Sequence, residues 1–324
     1  MGRFGAAAHA LAIMIGTAEA HAEPSTTSPE QGYELGEVQS PRAVGMGGAL
    51  NALGVSTSGL YLNPANMALA RVYHFEGLGS FAPEARRQSF GGAIVDSVLN
   101  RGHLAGGVGA NWTTMDADGI HRSWTDVRAG IGYPLGDYLA VGITGRYLRV
   151  DQSIASGPFG QSLVSDGTAG KPIFNQVTFD AGATLSLGES FRASVVGHNL
   201  TNPGTGLAPT TVAGGIGYFT RSFAIEGDGL VDFTTWTKTR GRLMAGGEVF
   251  LADRYALRGG YRYDDGMKTH AVSAGLGYID KRWSIELSGR RDVAGDHPAT
   301  LLTMSLRYFY DSVGGTPADE PDSF

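Results

Sequence analysis

Apolar and polar residues alternate one for one through most of this chain, and no other feature limits its fold so tightly. In QVTFDAGATLSL, Val177, Phe179, Ala181, Ala183, Leu185 and Leu187 fall on one side. Thr178, Asp180, Gly182, Thr184 and Ser186 fall on the other. THAVSAGLGYI repeats the pattern, with Val272, Ala274, Leu276 and Tyr278 against Ser273, Gly275 and Gly277. Near the C-terminus Leu302, Met304, Leu306, Tyr308 and Tyr310 alternate with Thr303, Ser305, Arg307 and Phe309. A period of two puts successive side chains on opposite faces of an extended strand. Each strand therefore has one apolar face and one polar or very small face, and no amphipathic helix longer than a turn or two intervenes.

The pattern predicts about 14 strands, over residues 72–81, 87–97, 104–114, 123–134, 139–150, 175–187, 191–199, 211–220, 222–232, 240–250, 255–263, 269–279, 283–291 and 300–310. An even count returns both termini to one side of a closed sheet. The connections sort into two sets. LNRGH, PLGD, LGES, TRS, ADR and DKR are tight, while APEARRQ, MDADGIHRS, the stretch 151–175, LTNPGTGLAP, FTTWTKTRG, DDGMK and DVAGDHP are longer. Short turns on one rim and long loops on the other are the pattern of outer-membrane barrels, whose short turns face the periplasm. Tyr133, Tyr147, Tyr218, Trp283, Tyr308 and Tyr310 stand at strand ends, where an interfacial aromatic belt places them. Mean hydropathy is -0.08, the neutral average that an alternating membrane barrel gives. The expected fold is all-β: a 14-stranded antiparallel transmembrane β-barrel in contact with outer-membrane lipid.

Four regions follow. Residues 1–22 have the form of an export signal, with Arg3, the apolar stretch AAAHALAIMIG and the small-x-small site Ala20-His21-Ala22. Residues 23–71 precede the first strand, 72–310 form the barrel, and 311–324 are a C-terminal tail. The 23–71 stretch holds the run AVGMGGALNALG, too apolar and small-sided to lie in water, and closes on Asn63-Pro64-Ala65. Asn63 can bond its own backbone and Pro64 has a fixed φ and no N–H, so the three residues form a rigid local stop. The natural place for such a stretch is the barrel mouth, with the stop turning it into the first strand.

Here the residues resemble a family. AVGMGGALNALGVSTSGLYLNPANMA is similar to the N-terminal hatch of FadL-type long-chain fatty-acid transporters and of the related PorV-type barrels. The matching residues are Gly45, Met46, Gly47, Gly48 and Ala49, then Asn63, Pro64 and Ala65. The resemblance implies a 14-stranded outer-membrane barrel that admits hydrophobic small molecules past the hatch, often releasing them sideways through the wall. For PorV-type members it implies a role in protein secretion, with a secreted protein as partner. The chain is short for a fatty-acid transporter. Among the loops only 151–175 is long, with Phe159, Leu163, Ile173 and Phe174 as candidate outer-loop contacts.

The polar face carries His74 and a set of charges: Glu76, Arg128, Arg146, Asp180, Arg192, Glu226, Asp228, Arg242, Glu248, Arg258, Arg262, Glu286, Arg290 and Arg307. They read as a ladder of ion pairs filling the interior rather than a ligand site. No cysteine is present, which excludes disulfides and thiolate metal sites. The net charge of -6 and the lack of a basic stripe argue against nucleic acid. GMGGAL lacks the Lys-Ser/Thr of a phosphate loop, DADG and DDG lack the distal glutamate of a calcium loop, and His198, His270 and His297 lack spaced partners. No cofactor, metal or catalytic residue is expected. The leading reading is a transporter of hydrophobic, fatty-acid-like small molecules. The alternatives are a secretion-linked barrel and, third, an outer-membrane enzyme with a site at the rim. Gly275, on the polar face, is expected to accept serine.

Overall fold

The computed structural model describes residues 38–98, 104–117, 120–154, 172–295 and 298–310. The export signal, the tail 311–324, Phe159, Leu163 and His297 lie outside the described residues. Fourteen strands follow one another along the chain: β1 Tyr73–Ala82, β2 Arg87–Asp96, β3 Ala105–Ala117, β4 Ile120–Leu135, β5 Leu139–Ile154, β6 Phe174–Leu187 and β7 Phe191–His198. The remainder are β8 Thr211–Phe219, β9 Phe223–Asp232, β10 Arg240–Leu251, β11 Tyr255–Asp264, β12 Thr269–Ile279, β13 Trp283–Ala294 and β14 Thr300–Phe309. Each pairs antiparallel with its neighbours in sequence, and β14 returns to pair with β1, closing the barrel. Closure leaves no unpaired edge, the condition for a sheet to stand in hydrocarbon. Among the described strands the ladder has one irregularity, a register shift at His270/Ala271.

The alternation sets which way each side chain points. Leu276 is 61% exposed and Leu306 54%, whereas Ser305, Thr303 and Glu286 on the opposite face are buried. Phe75, Val108, Ile131, Val177, Leu243 and Leu287 extend the exposed apolar surface around the outside. No helix among the described residues is long and apolar enough to cross a membrane; this chain crosses with strands. Aromatic rings gather at the rim of tight turns. Phe191, Tyr218 and Phe223 form one contact series, Tyr255, Tyr278 and Trp283 another, and Tyr73 meets Tyr310 edge-on with ring centres 5.5 Å apart.

The loop sorting is less sharp than the sequence implies. Residues 83–86, 118–119 and 265–268 alone join the strands where APEARRQ, MDADGIHRS and DDGMK suggest longer loops. On that side β3 runs to Ala117, β4 starts at Ile120 and β5 runs to Ile154. The inward face there carries apolar Met115, Trp124, Leu148 and Val150, so the apolar-out, polar-in alternation that marks a strand breaks down. The connections 155–173, 199–210 and 233–239 remain the long ones.

Residues 38–72 run inside the barrel. They include α1 Pro41–Gly45, α2 Thr57–Leu62 and a 3-10 turn over Pro64–Leu69. Ser40 caps α1 by accepting the Ala43 N–H at 3.3 Å, with Pro41 at the first helical position. Asn63 does the same for the 3-10 turn, its Oδ1 accepting the Ala65 N–H at 3.2 Å ahead of Pro64.

The lipid face yields a graded prediction. Met304→Arg, halfway along β14 on the exposed face, should destabilise the barrel by about 2–4 kcal/mol in bilayer unfolding experiments. Leu276→Arg, one outward position from the Tyr278 aromatic contact, should cost less because the guanidinium reaches the interface. Equal costs at the two positions would place the hydrocarbon layer elsewhere.

Candidate functional site

The lumen is filled from both directions, by inward side chains and by the internal segment. Its largest feature is a continuous chain of ion pairs. Arg307 bridges Glu76 at 2.9 Å and Glu286 at 3.4 Å. Arg258 then bridges Glu286 at 2.8 Å and Glu248 at 2.5 Å, and Arg42 from α1 closes on Glu248 at 2.8 Å. The chain joins β1, β14, β13, β11 and β10 to the segment. The strand it skips, β12, presents glycine: a Cβ on Gly277 would sit 3.4 Å from the Arg258 guanidinium that crosses over it to Glu286. Thr57 of α2 donates to Glu76 at the far end.

A second cluster lies across the lumen. Asp126 is held by Arg128 at 2.9 Å and Arg146 at 2.7 Å. Arg128 also donates to the Tyr61 carbonyl at 3.0 Å and stands over the Tyr61 ring. Asp180 faces His198 at 3.3 Å and accepts the Asn199 N–H at 2.8 Å.

The third contact is of another kind. Glu226 and Asp228 project side by side from β9, and four consecutive backbone N–H groups of the segment point at them. Leu50 and Asn51 donate to Asp228, each at 2.9 Å, while Ala52 and Leu53 donate to Glu226 at 2.5 and 3.0 Å. The Asn51 side-chain amide adds a further bond to Asp228 at 2.9 Å. These two carboxylates hold the backbone of the segment, where the acids of the ion-pair chain hold arginine.

Asn63 anchors the far end of the segment. Its amide donates to the Asn51 carbonyl and to Thr184 of β6, both at 3.0 Å, and Asn66 donates to the same carbonyl at 2.8 Å. Pro64 lies directly over Gly142 and Gly132, and the Asn63 carboxamide over Gly182, so any Cβ at those wall positions would overlap the motif. Met46 and Gly47 cover Gly246 and Gly260 in the same way. Gly47 has φ +70 and lies against the Tyr261 backbone, with no room for a side chain. Gly48, at φ +93, rests on the Met244 sulfur, and buried Ala49 follows it. Gly45 occupies the space above Gly275. A side chain at Gly275 would collide with Ser288 and sit 3.3 Å from the Gly45 Cα. The expectation that Gly275 accepts serine is therefore corrected: the inner face is not empty there.

The remaining inward charges fall into place individually. Arg242 pairs with Asp264 at 3.0 Å, Arg290 donates to Gln39 at 3.1 Å, Arg192 stands 4.7 Å over the Phe219 ring, and Arg262 is buried in the wall. His74 is buried against Ser56, 2.9 Å away. Sequence reasoning missed Asp126, Asp264 and Arg42. Asp126 stands two residues before Arg128 and so shares its face, a signal present in the alternation. Asp264 ends β11 and was read with DDG as a turn. Arg42 is the sole cation of the glycine-rich run.

At the rim opposite the tight turns the inward surface becomes apolar. Trp124, Met115, Leu148, Val150, Phe174 and Leu301 form a buried cluster that Val44 joins from below. Phe174 and Ile173, expected as outer-loop contacts, belong here instead: Phe174 begins β6 and points inward, and Ile173 packs on the cluster. Beside it, between the segment, β14 and β1–β4, is a cavity of about 30 Å³ lined by Val38, Leu78, Trp124 and Leu301 together with polar Gln39, Ser80, Arg87, Asn111, Thr113 and Asp126 among others.

No family model and no curated protein sequence matches this chain. Solved structures do. The CymD monoaromatic hydrocarbon channel superposes with a TM-score of 0.67 at 14% identity, over 86% of this chain and 98% of that one. A Pseudomonas aeruginosa FadL homologue gives 0.61 at 12% identity over 86% and 100%. The P. putida toluene transporter TodX gives 0.58 at 12% identity over 85% and 99%. The fold is that of the FadL-type channels.

If the charge chain holds the lumen together, Arg258→Met should leave Glu248 with Arg42 alone and Glu286 with Arg307 alone and destabilise the barrel by about 3–5 kcal/mol. Arg192→Met, which removes a ring contact, should cost about 1 kcal/mol. Chemical unfolding in vesicles reads both; similar costs would mean that the ion-pair chain contributes nothing special.

Proposed function

We propose that this chain is an outer-membrane channel for small hydrophobic molecules, with residues 38–72 as a hatch that closes its lumen. One observation carries the reading. At the rim opposite the tight turns a buried apolar cluster that includes Trp124 and Phe174 lies over a lumen that a single internal segment fills. The likeness of fold to channels whose names specify monoaromatic hydrocarbons and toluene supports the same class of cargo. In this arrangement 1–22 is the export signal, the lipid bilayer covers the outer face, and the role is not catalytic. Packing of the segment on ion pairs suits a secretion-linked barrel equally well; the apolar cluster is what favours transport.

The wall is paired around its whole circumference among the described strands, so passage requires the segment to shift. Its two halves are held by different chemistry. Residues 42–53 are held by carboxylates, residues 63–69 by neutral amides set over wall glycines. No strand hydrogen bond depends on the side chains of Asn63 or Pro64. Replacing both with alanine should therefore leave barrel folding unchanged, as judged by gel mobility with and without boiling. Loss of the Asn63 bonds, about 1–3 kcal/mol, should raise the displaced population about five- to a hundredfold. Single-channel conductance and uptake of a hydrophobic probe should rise with it. A folded double variant with unaltered conductance and uptake would reduce the motif to a turn.

A further inference from the structure

One residue of the segment has a backbone that its side chain does not suit. Ser56, between the two halves, has φ 58 and ψ -123, and among the described residues of the segment it is the one non-glycine with positive φ. Those angles belong to the first central position of a type II′ turn, which glycine ordinarily fills because it has no Cβ to crowd the backbone. Ser56 is also the N-cap of α2, yet its hydroxyl makes no capping bond. Ser40 shows the ordinary arrangement in the same segment. It is extended, at φ -69 and ψ 154, and its hydroxyl accepts the Ala43 N–H three residues on. The Ser56 hydroxyl instead meets His74 Nε2 of β1 at 2.9 Å, with both residues buried. Ser56 thus forgoes both a relaxed backbone and a cap, and such a residue persists only where its surroundings hold it.

We propose that Ser56 is a strained joint about which residues 38–55 swing away from the wall while residues 57–72 stay on it. This rests on the channel reading and specifies which part of the hatch moves. The second half is fixed at both ends: Thr57 donates to Glu76, Pro64 lies over Gly132 and Gly142, and the chain then runs into β1 at Tyr73. The first half is compact, with the Gly54 N–H returning to the Leu50 carbonyl at 3.0 Å, and its wall contacts are to Glu248, Glu226 and Asp228. Swinging it out breaks those contacts and the bonds from Asn63 and Asn66 to the Asn51 carbonyl. In return Ser56 takes the extended backbone that Ser40 already has, and its hydroxyl caps α2 at the Gly59 N–H, the same step of three residues. Relief of the joint therefore offsets part of the cost of opening, which brings the closed and open arrangements closer in free energy.

Ser56→Gly and Ser56→Ala make the test, because both lose the hydroxyl and only glycine accepts the backbone without strain. The chain has no cysteine, so single reporters can be placed at Leu50→Cys in the first half and Met67→Cys in the second, both fully buried positions. With the full chain in lipid vesicles, the rate of labelling by a water-soluble maleimide reads how often each half leaves the wall. Leu50→Cys should label faster than Met67→Cys. With Ser56→Gly the Leu50 reporter should label about three- to thirtyfold more slowly than with Ser56→Ala, while the Met67 reporter labels alike in both. If Ser56→Ala does not fold, Ser56→Gly is compared with the unchanged serine, and slower labelling is still required. Equal rates for glycine and alanine at the Leu50 reporter, a faster rate for glycine, or a Met67 reporter as fast as the Leu50 one would overturn the proposal. Toluene uptake separates this failure from that of the channel reading. Uptake above the protein-free level, with labelling indifferent to residue 56, leaves the channel standing and removes the joint. Uptake at the protein-free level removes both.

Discussion

Charge turned inward in a barrel whose lumen is filled by its own segment has no bulk water to fall back on, and the rest of this lumen follows from that constraint. The chain from Glu76 through Arg307, Glu286, Arg258 and Glu248 to Arg42 answers it by alternating sign around the wall. Between its two ends each guanidinium is shared by two acids and each acid by two guanidinia, so breaking one contact weakens the hold on its neighbours. Glu226 and Asp228 answer it differently, by taking four backbone N–H groups that the irregular segment would otherwise leave unpaired. Segment and wall are thus mutually dependent: the wall acids satisfy the segment backbone, and Arg42 of the segment completes the wall.

Glycine supplies the space for that arrangement. The sequence has 50 glycines, and those on the inner face of β4, β5, β6, β10 and β11 lie where the segment touches. With side chains at Gly142, Gly182, Gly246 and Gly260 the segment backbone could not approach, and neither Asn63 nor Met46 could reach its place. The glycine-rich run in the segment and the glycines in the strands are two halves of one close contact.

The alternation made the strands and their facing legible, because a strand with lipid on one side and a polar lumen on the other has a period that a sequence records directly. Of the fourteen charges read from it, twelve are buried and Arg192 and Arg307 are partly buried. Their pairing was not legible. Arg42 meets Glu248 across 206 positions, and nothing local to either residue specifies the other. Gly275 shows a related limit. Period two assigns its face, yet only the fold reveals that Gly45 occupies the space in front of it. Phe174 was misplaced because it is an apolar residue on the inward, otherwise polar face of β6, which hides the alternation at the start of the strand.

The central claim is that the segment must leave the wall for cargo to pass, and a reversible lock tests it most directly. The Leu53 side chain covers Gly217 of β8, where an ideal Cβ would lie 2.7 Å from both Leu53 methyl carbons. The chain has no cysteine of its own, so a Leu53→Cys/Gly217→Cys pair gives a cross-link without background. Uptake of toluene into vesicles would be measured with the pair oxidised and then reduced. The account predicts uptake at the protein-free level when oxidised, restored by reductant. Undiminished uptake through a barrel whose cross-link is complete would contradict it.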